Sequence, residues 1–401
     1  EKVSTPAAPD LEAAFAKKNK PGYRTNAPAQ AEILVPGQML PIATSGEVMP
    51  GSGQKLAGIP DGIGSWGGSR FMNSYMNHEI SGAARVSKFV IDTKTGTIVD
   101  HAYTLDGSEG YSRLCSASWS DADDGFPGGY FFTGEEQSDG IQLAIDAQGN
   151  VTEMPQLGFY AHEQQVSVPG FPGNVVLVNF DDDGASCSGD ACTEDAESEF
   201  YMYVAQNANK ALRGDGQLFV FTSEDARHVG QMTVGQTIEG SWIPVPESVA
   251  MDRGPDPATG KPPLDEWVDD PAHDAFDFTR LEDGFYDKVS AASGEPAVYI
   301  FDTGDADLGT DGVNYWDKWG SIYRMSWANP SDPSGTTYLK LLARSNGPAS
   351  GWASPDNGDM NADGTIMLQE DPAAGPWSRD ETQIWALQRA GDGSLVDPAG
   401  T

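Results

Sequence analysis

Positive charge is scarce in this chain. Its 401 residues include 24 Lys+Arg against 60 Asp+Glu, for a formal net charge of −36. That balance argues against duplex nucleic acid and anionic membrane as partners, because both are bound by Lys and Arg that neutralise phosphates. The excess carboxylates must be solvated, screened by salt or used to hold cations. Long apolar runs are missing too; none approaches the ~18 residues of a membrane-spanning helix. Helical patterning is nearly absent, with a capped run of helix formers only from Asp10 to Lys18. The first residues, Glu-Lys-Val-Ser-Thr-Pro, are neither a Met start nor a signal peptide and read as the start of a processed or trimmed protein. Cysteine is limited to three residues. Cys187 and Cys192 flank a Gly-containing loop that could close as a small disulfide in an oxidising compartment, with free thiols or a metal loop as the alternatives. Cys115 is left over, and by default it is a small buried hydrophobe.

The chain is instead rich in turns, with 47 Gly and 27 Pro separating short β-rich runs such as Phe-Met-Asn-Ser-Tyr-Met and Asn-Val-Val-Leu-Val-Asn-Phe. A polar turn, a Gly and an apolar strand start recur at Gly96, Gly149, Gly216, Gly320, Gly364 and Gly393. Six such tips at unequal spacing suit an all-β fold of repeated antiparallel sheets. A β-propeller of about six blades with long inserted loops stacks such sheets without open edges, and a β-sandwich assembly is the alternative. A length of 401 would fit two or three average domains, yet propellers of this size fold as one unit. The expected organisation is an N-terminal extension over residues 1–50, carrying the short helix, and a single propeller over 51–401. The Pro- and Asp-rich stretch from Arg253 to Pro271 reads as a long loop.

The candidate chemistry lies in carboxylate motifs that follow strand-like runs. They are Gly-Ile-Pro-Asp-Gly (Asp61), Asn-His-Glu (Glu79), the Cys115 segment, Gly-Glu-Glu (Glu135, Glu136), Ala-His-Glu (Glu163) and Phe-Asp-Asp-Asp (Asp181 to Asp183). Arg-Leu-Glu-Asp (Arg280, Glu282, Asp283), Pro-Asp-Asn (Asp356, Asn357) and Gln-Glu-Asp (Glu370, Asp371) complete the set. Acids at the ends of apolar strands are costly unless a cation meets them. Blade strand ends ring a propeller's central channel, where carboxylates with amide oxygens suit Ca²⁺. Solvated turn acids explain Asp181 to Asp183 and Glu370–Asp371 equally well, and His78 and His162 fit structural hydrogen bonding better than metal ligation. In an extended segment Arg280 projects to the same side as Glu282. The pair is either a surface ion pair or one half of an oxyanion site, with guanidinium donors beside a cation-binding carboxylate.

The order of these motifs resembles the PhoX-type alkaline phosphatases, secreted calcium- and iron-dependent enzymes built on a β-propeller, over roughly residues 55 to 375. The residues that carry it are Gly58 to Gly64, Asn77-His78-Glu79, Cys115 to Glu136, Phe159 to Glu163, Asp181 to Val204, Arg280-Leu281-Glu282 and Pro355-Asp356-Asn357. Leu281 stands where the family usually has Pro, and Cys115 is followed by Ser-Ala-Ser-Trp-Ser rather than a Gly-Gly run. The resemblance implies that Cys115, Glu163 and Glu282 bind iron and that Glu135 or Glu136 completes or bridges an iron–calcium (Fe³⁺, Ca²⁺) cluster. It implies that Arg280 holds the substrate phosphate; Glu79, Asp356, Asn357 and Asp371 are further metal candidates. The expected protein is a monomeric, secreted or periplasmic hydrolase of small phosphate monoesters. A phosphodiesterase or phosphotriesterase on the same metals, or a calcium-stabilised binding propeller in which Cys115 is only core, are the other readings.

Overall fold

The computed structural model describes residues 22–29, 39–183, 187–188, 191–192, 198–255, 257, 260–273, 275–304, 317–349, 351–371 and 382–396. The expected helix from Asp10 to Lys18 lies outside them. The chain divides into two compact units, Glu1–Tyr111 and Ser112–Thr401.

The first unit is one antiparallel meander of β1 (Pro60–Gly67), β2 (Phe71–His78), β3 (Arg85–Asp92) and β4 (Thr97–Leu105). Its small core joins Met49, Leu56, Phe89, Ile91 and Ile98. Beside that core runs a buried polar chain whose direction is fixed at one end. The Gly58 carbonyl can only accept, so His78 Nδ1 donates to it (3.0 Å) and His78 Nε2 accepts from the Ser87 hydroxyl (2.7 Å). Ser87 Oγ then accepts from His101 Nε2 (3.1 Å), whose Nδ1 takes the Ser52 hydroxyl proton (2.8 Å). This pattern requires both imidazoles to be neutral. Burial is the main cause that lowers His78, and burial with the neighbouring His78 brings His101 down to about 4. A histidine depressed in the folded state takes its proton first when unfolded, so this stability is complete above pH 6.5 and drains away as pH falls toward 4. Unfolding free energies from urea titrations are expected to fall over that window, by up to about 3 kcal/mol for His101, and His101→Gln should flatten the dependence. An unchanged slope in that variant would remove His101 as the cause.

The second unit continues the pattern. β5 (Leu114–Ser120), β6 (Tyr130–Glu135), β7 (Gln142–Asp146) and β8 (Val151–Glu153) form one meander. The next is built from β9 (His162–Val168) and β10 (Val175–Asp181), and then, after the two-residue strands β11 (Cys187–Ser188) and β12 (Ala191–Cys192), from β13 (Phe200–Ala205) and β14 (Gly216–Thr222). β15 (Thr237–Pro244) pairs with β14 through its second half. Through its first half it pairs with β19 (Thr337–Arg344), the outer strand of the meander that also holds β16 (Leu281–Tyr286), β17 (Ala297–Asp302) and β18 (Ser321–Trp327). That bridge merges two meanders into a nine-stranded sheet. β20 (Pro355–Met360), β21 (Thr365–Glu370), β22 (Ile384–Arg389) and β23 (Leu395–Val396) close the series.

Four-stranded antiparallel meanders in succession are the blades of a β-propeller, and five are present among the described residues, beside the expected six or so. Strands within a stack are covered on both faces, so β10 reads Val-Val-Leu-Val-Asn-Phe-Asp and every residue in it is buried. One face, with Val176, Val178 and Phe180, packs against Phe200, Met202, Val298 and Ile300. The other carries Leu177 against Phe132, Ala144 and Tyr201. Each of the recurrent glycines leads into or begins a strand, and Gly96, Gly149, Gly320, Gly364 and Gly393 do so at positive φ. The stretch after Arg253 contains a short helix, Pro263–Val268. Further one-turn helices at Ala208–Ala211, Glu247–Ala250 and Lys288–Ala291 carry too few residues for a periodic signal. Cys187 stands opposite Cys192 in the backbone register of β11 and β12, but the expected disulfide concerns side chains outside those described.

Candidate metal centre

One local geometry places the acidic motifs. The first strand of every blade slips its register just after its first residue, between Leu114 and Ala117 in β5, between Leu281 and Gly284 in β16, and between Pro355 and Gly358 in β20. β9 slips opposite the Asn179–Asp181 step, and β1 slips between Pro60 and Ile63. A bulge sets two residues against one and re-aims their side chains. The second strand residue is thus Asp61, Cys115, Glu163, Glu282 or Asp356 in turn. Arg113 and Ser354, immediately before β5 and β20, have φ of 47° and 45°, a conformation costly for non-glycine residues. Ile59, before β1, shares it at 47°.

In three blades of the second unit the end of the second strand braces this start. The Glu135 carboxylate accepts the Ser112 N–H (2.8 Å), Asp302 accepts the Thr279 (3.0 Å) and Arg280 (3.2 Å) N–H groups, and Glu370 accepts the Ala353 N–H (2.9 Å). The four first strands are also stitched to one another. Ser116 Oγ donates to Asn357 Oδ1 (3.1 Å), Gln164 Nε2 to the Ala117 carbonyl (3.4 Å), Gly284 N–H to Gln164 Oε1 (3.1 Å) and Gly358 N–H to Asp283 Oδ2 (2.7 Å). These bonds close a ring through β5, β9, β16 and β20.

The ring gathers two ligand groups. Cys115, Glu136 and Glu163 each bring one ligand atom within 4.8 Å of the others, and so do Glu163, Asp182 and Glu282. Glu163 belongs to both and is 0% exposed. Arg280 sits at the edge, its side chain 21% exposed, with one guanidinium nitrogen 2.7 Å from both Asp182 and Glu282. Arg113 pairs with Glu136, and the Ser116 N–H donates to Glu163 (3.3 Å). Burial pushes the Glu282 carboxyl well above its usual range, and Asp182 adds to the shift while Arg280 opposes it. The Asp182 and Glu282 charges hold Arg280 firmly protonated. Four carboxylates and a thiol against two guanidiniums leave a strong demand for positive charge. A thiol with carboxylates fits a transition metal, and the all-carboxylate group fits a hard cation, so the two groups could hold metal ions of different character.

Several proposed ligands find other places. Glu136 joins Cys115, whereas Glu135 caps Ser112 and faces Arg253 at 3.6 Å. Asp356 acts electrostatically on Glu282, and Asn357 Nδ2 donates to it (2.5 Å). Asp371 has an exposed side chain and uses its N–H on the Ser354 carbonyl (3.1 Å). Glu79, by contrast, stays a metal candidate: it belongs to the first unit, where its N–H donates to the Ile59 carbonyl (3.0 Å) and a carboxylate oxygen lies within 4.8 Å of one from Asp61. Asp182 was legible only as the middle of three turn acids. Strand alternation, which puts it on the face opposite Asp181 and Asp183, was the signal for it.

No family model matches this chain, and no curated protein does. Among solved structures it is similar to PhoX of Pseudomonas fluorescens in complex with vanadate, a transition state analogue, with a TM-score of 0.60 and 14% identity over 86% of this chain and 78% of that one. That likeness is one of fold, and it shows a β-propeller. Looser superpositions include a thermostable family-43 glycoside hydrolase (TM-score 0.38, 10% identity, 86% of this chain, 94% of that one) and a Synechocystis apocarotenoid oxygenase mutant (0.35, 10%, 79%, 59%).

Proposed function

We propose that the chain is a metal-dependent phosphoric ester hydrolase, alkaline phosphatase-like, that acts on small phosphate monoesters outside the cytoplasm. The observation that carries this reading is the single buried carboxylate of Glu163 joining a thiol-containing group to an all-carboxylate group, with Arg280 at their rim. Fold likeness to a phosphatase captured with vanadate supports it.

In this reading Cys115, Glu136 and Glu163 hold iron, and Glu163, Asp182 and Glu282 hold calcium. When bound, such cations supply Lewis acidity that activates water and neutralises phosphoryl oxygens. Arg280 contributes the remaining N–H donors of its fork to the phosphate, and Asp302 fixes the backbone from which that fork projects. Protein bound with iron and calcium should hydrolyse p-nitrophenyl phosphate at alkaline pH, lose that activity to a chelator and be inhibited by vanadate. Turnover of bis(p-nitrophenyl) phosphate should be at least about tenfold slower. Faster diester turnover would move the assignment to a phosphodiesterase, and no ester hydrolysis at all would leave a binding propeller.

A further inference from the structure

Between the second and third blades the buried core turns polar. Two cross-strand rows share the face that carries Leu177. In one, Gln165 stands opposite Asn179 and Asn179 opposite Tyr201. In the other, His162 stands opposite Asp181, and Glu199, one step past the Phe180–Phe200 pair, continues the row. Cross-strand neighbours in such rows have Cβ atoms roughly 4.5–5.5 Å apart. The second blade adds Gln142, whose Oε1 lies beside His162 at Gly134, where a Cβ would come within 2.6 Å of Gln142 and 2.3 Å of His162.

Among the described residues, both amide atoms of Gln142, Gln165 and Asn179, Nδ1 of His162, Oδ1 of Asp181 and the hydroxyl of Tyr160 are buried without a protein partner. None of these side chains is more than 1% exposed. Buried amides are almost always satisfied, so a group of them bare on one face points to a bound species. The charges acting most strongly on Asp181 are Glu199, Asp265, Asp183 and Asp182, all acidic. In the neighbouring blades the corresponding carboxylates, Glu135 and Asp302, cap backbone N–H groups; among the described residues Asp181 Oδ1 makes no such bond, and Asp181 faces Glu199 instead. Tyr201 donates to Glu199 (3.4 Å) and stacks on Tyr160 (4.6 Å between centroids).

We propose that this face is a second cation site, for a hard divalent ion of the calcium class, ligated by the carboxylates of Asp181 and Glu199 and the amide oxygens of Asn179 and Gln165. Two carboxylates balance two positive charges, and an all-oxygen donor set with neutral amides is what such an ion takes. Water around the ion satisfies Gln142 and Tyr160. The site does not depend on the phosphatase reading, since none of these four ligands belongs to the ligand groups of the other centre.

The test is calcium binding by the full-length protein carrying Glu282→Gln, which cripples the other centre. Terbium should show luminescence sensitised by the adjacent tyrosines and displaced by calcium, and calcium should raise the melting temperature. Adding Asn179→Leu or Asp181→Asn should remove one calcium equivalent and abolish that rise. If Asp181→Asn does not fold, Asn179→Leu decides the matter. An Asn179→Leu protein that melts higher in calcium, with its calcium count unchanged, would overturn the proposal, because deleting a merely unsatisfied amide stabilises. Absence of calcium-displaceable terbium luminescence in the Glu282→Gln protein would overturn it without any substitution on this face.

Discussion

Glu163→Gln is expected to empty both ligand groups and to lower kcat by more than about 10⁴-fold, roughly 5.5 kcal/mol of transition-state stabilisation. No other described residue belongs to both groups, so its loss cannot be covered by a neighbour. The substitution keeps shape and the acceptor for the Ser116 N–H, so folding should survive. Without metal the variant should melt higher than the parent, because a buried carboxylate among like charges has been replaced by a neutral amide. Iron and calcium analysis beside thermal unfolding checks both effects. Full metal content in Glu163→Gln would show that the two groups are not joined through this residue.

Arg280→Gln should act differently. Asp182 and Glu282 lose their shared guanidinium, 2.7 Å from each, so calcium affinity should hold or rise. Transition-state stabilisation should fall by about 10³–10⁵-fold, the range of arginines that meet transferring phosphoryl groups. Arg280→Lys should recover only part of it, since an ammonium replaces a planar fork with a point charge. Steady-state kinetics with metal content separates this from Glu163→Gln. An Arg280→Gln enzyme with unchanged kcat/KM would reduce Arg280 to a counter-ion for Asp182 and Glu282.

The sequence carried these motifs in order but hid that five of them are one position. Asp61, Cys115, Glu163, Glu282 and Asp356 are each the second residue of a blade's first strand, beside a bulge. Their chemistry differs and inserted loops make their spacing irregular, so no periodicity in the chain reveals the repeat. Turn glycines were visible because positive φ restricts residue choice, which is why the all-β reading stood on them. Choosing between Glu135 and Glu136 was beyond sequence reasoning: adjacent strand residues alternate faces, and only the register of Leu114 with Glu135 decides which turns inward. β15 joins two blades through different halves of one strand, a pairing that nothing in its alternating pattern announces. The polar face around Asn179 was missed because it is spread over four strands, each with one or two members.

Elemental analysis of the purified, dialysed protein, expressed with iron and calcium in supply, tests the central claim most directly. The account predicts iron near or above one equivalent per chain, with calcium beside it, and loss of the iron in Cys115→Ala. Calcium without iron, or iron unchanged in Cys115→Ala, would contradict a metal centre built on Cys115 and Glu163.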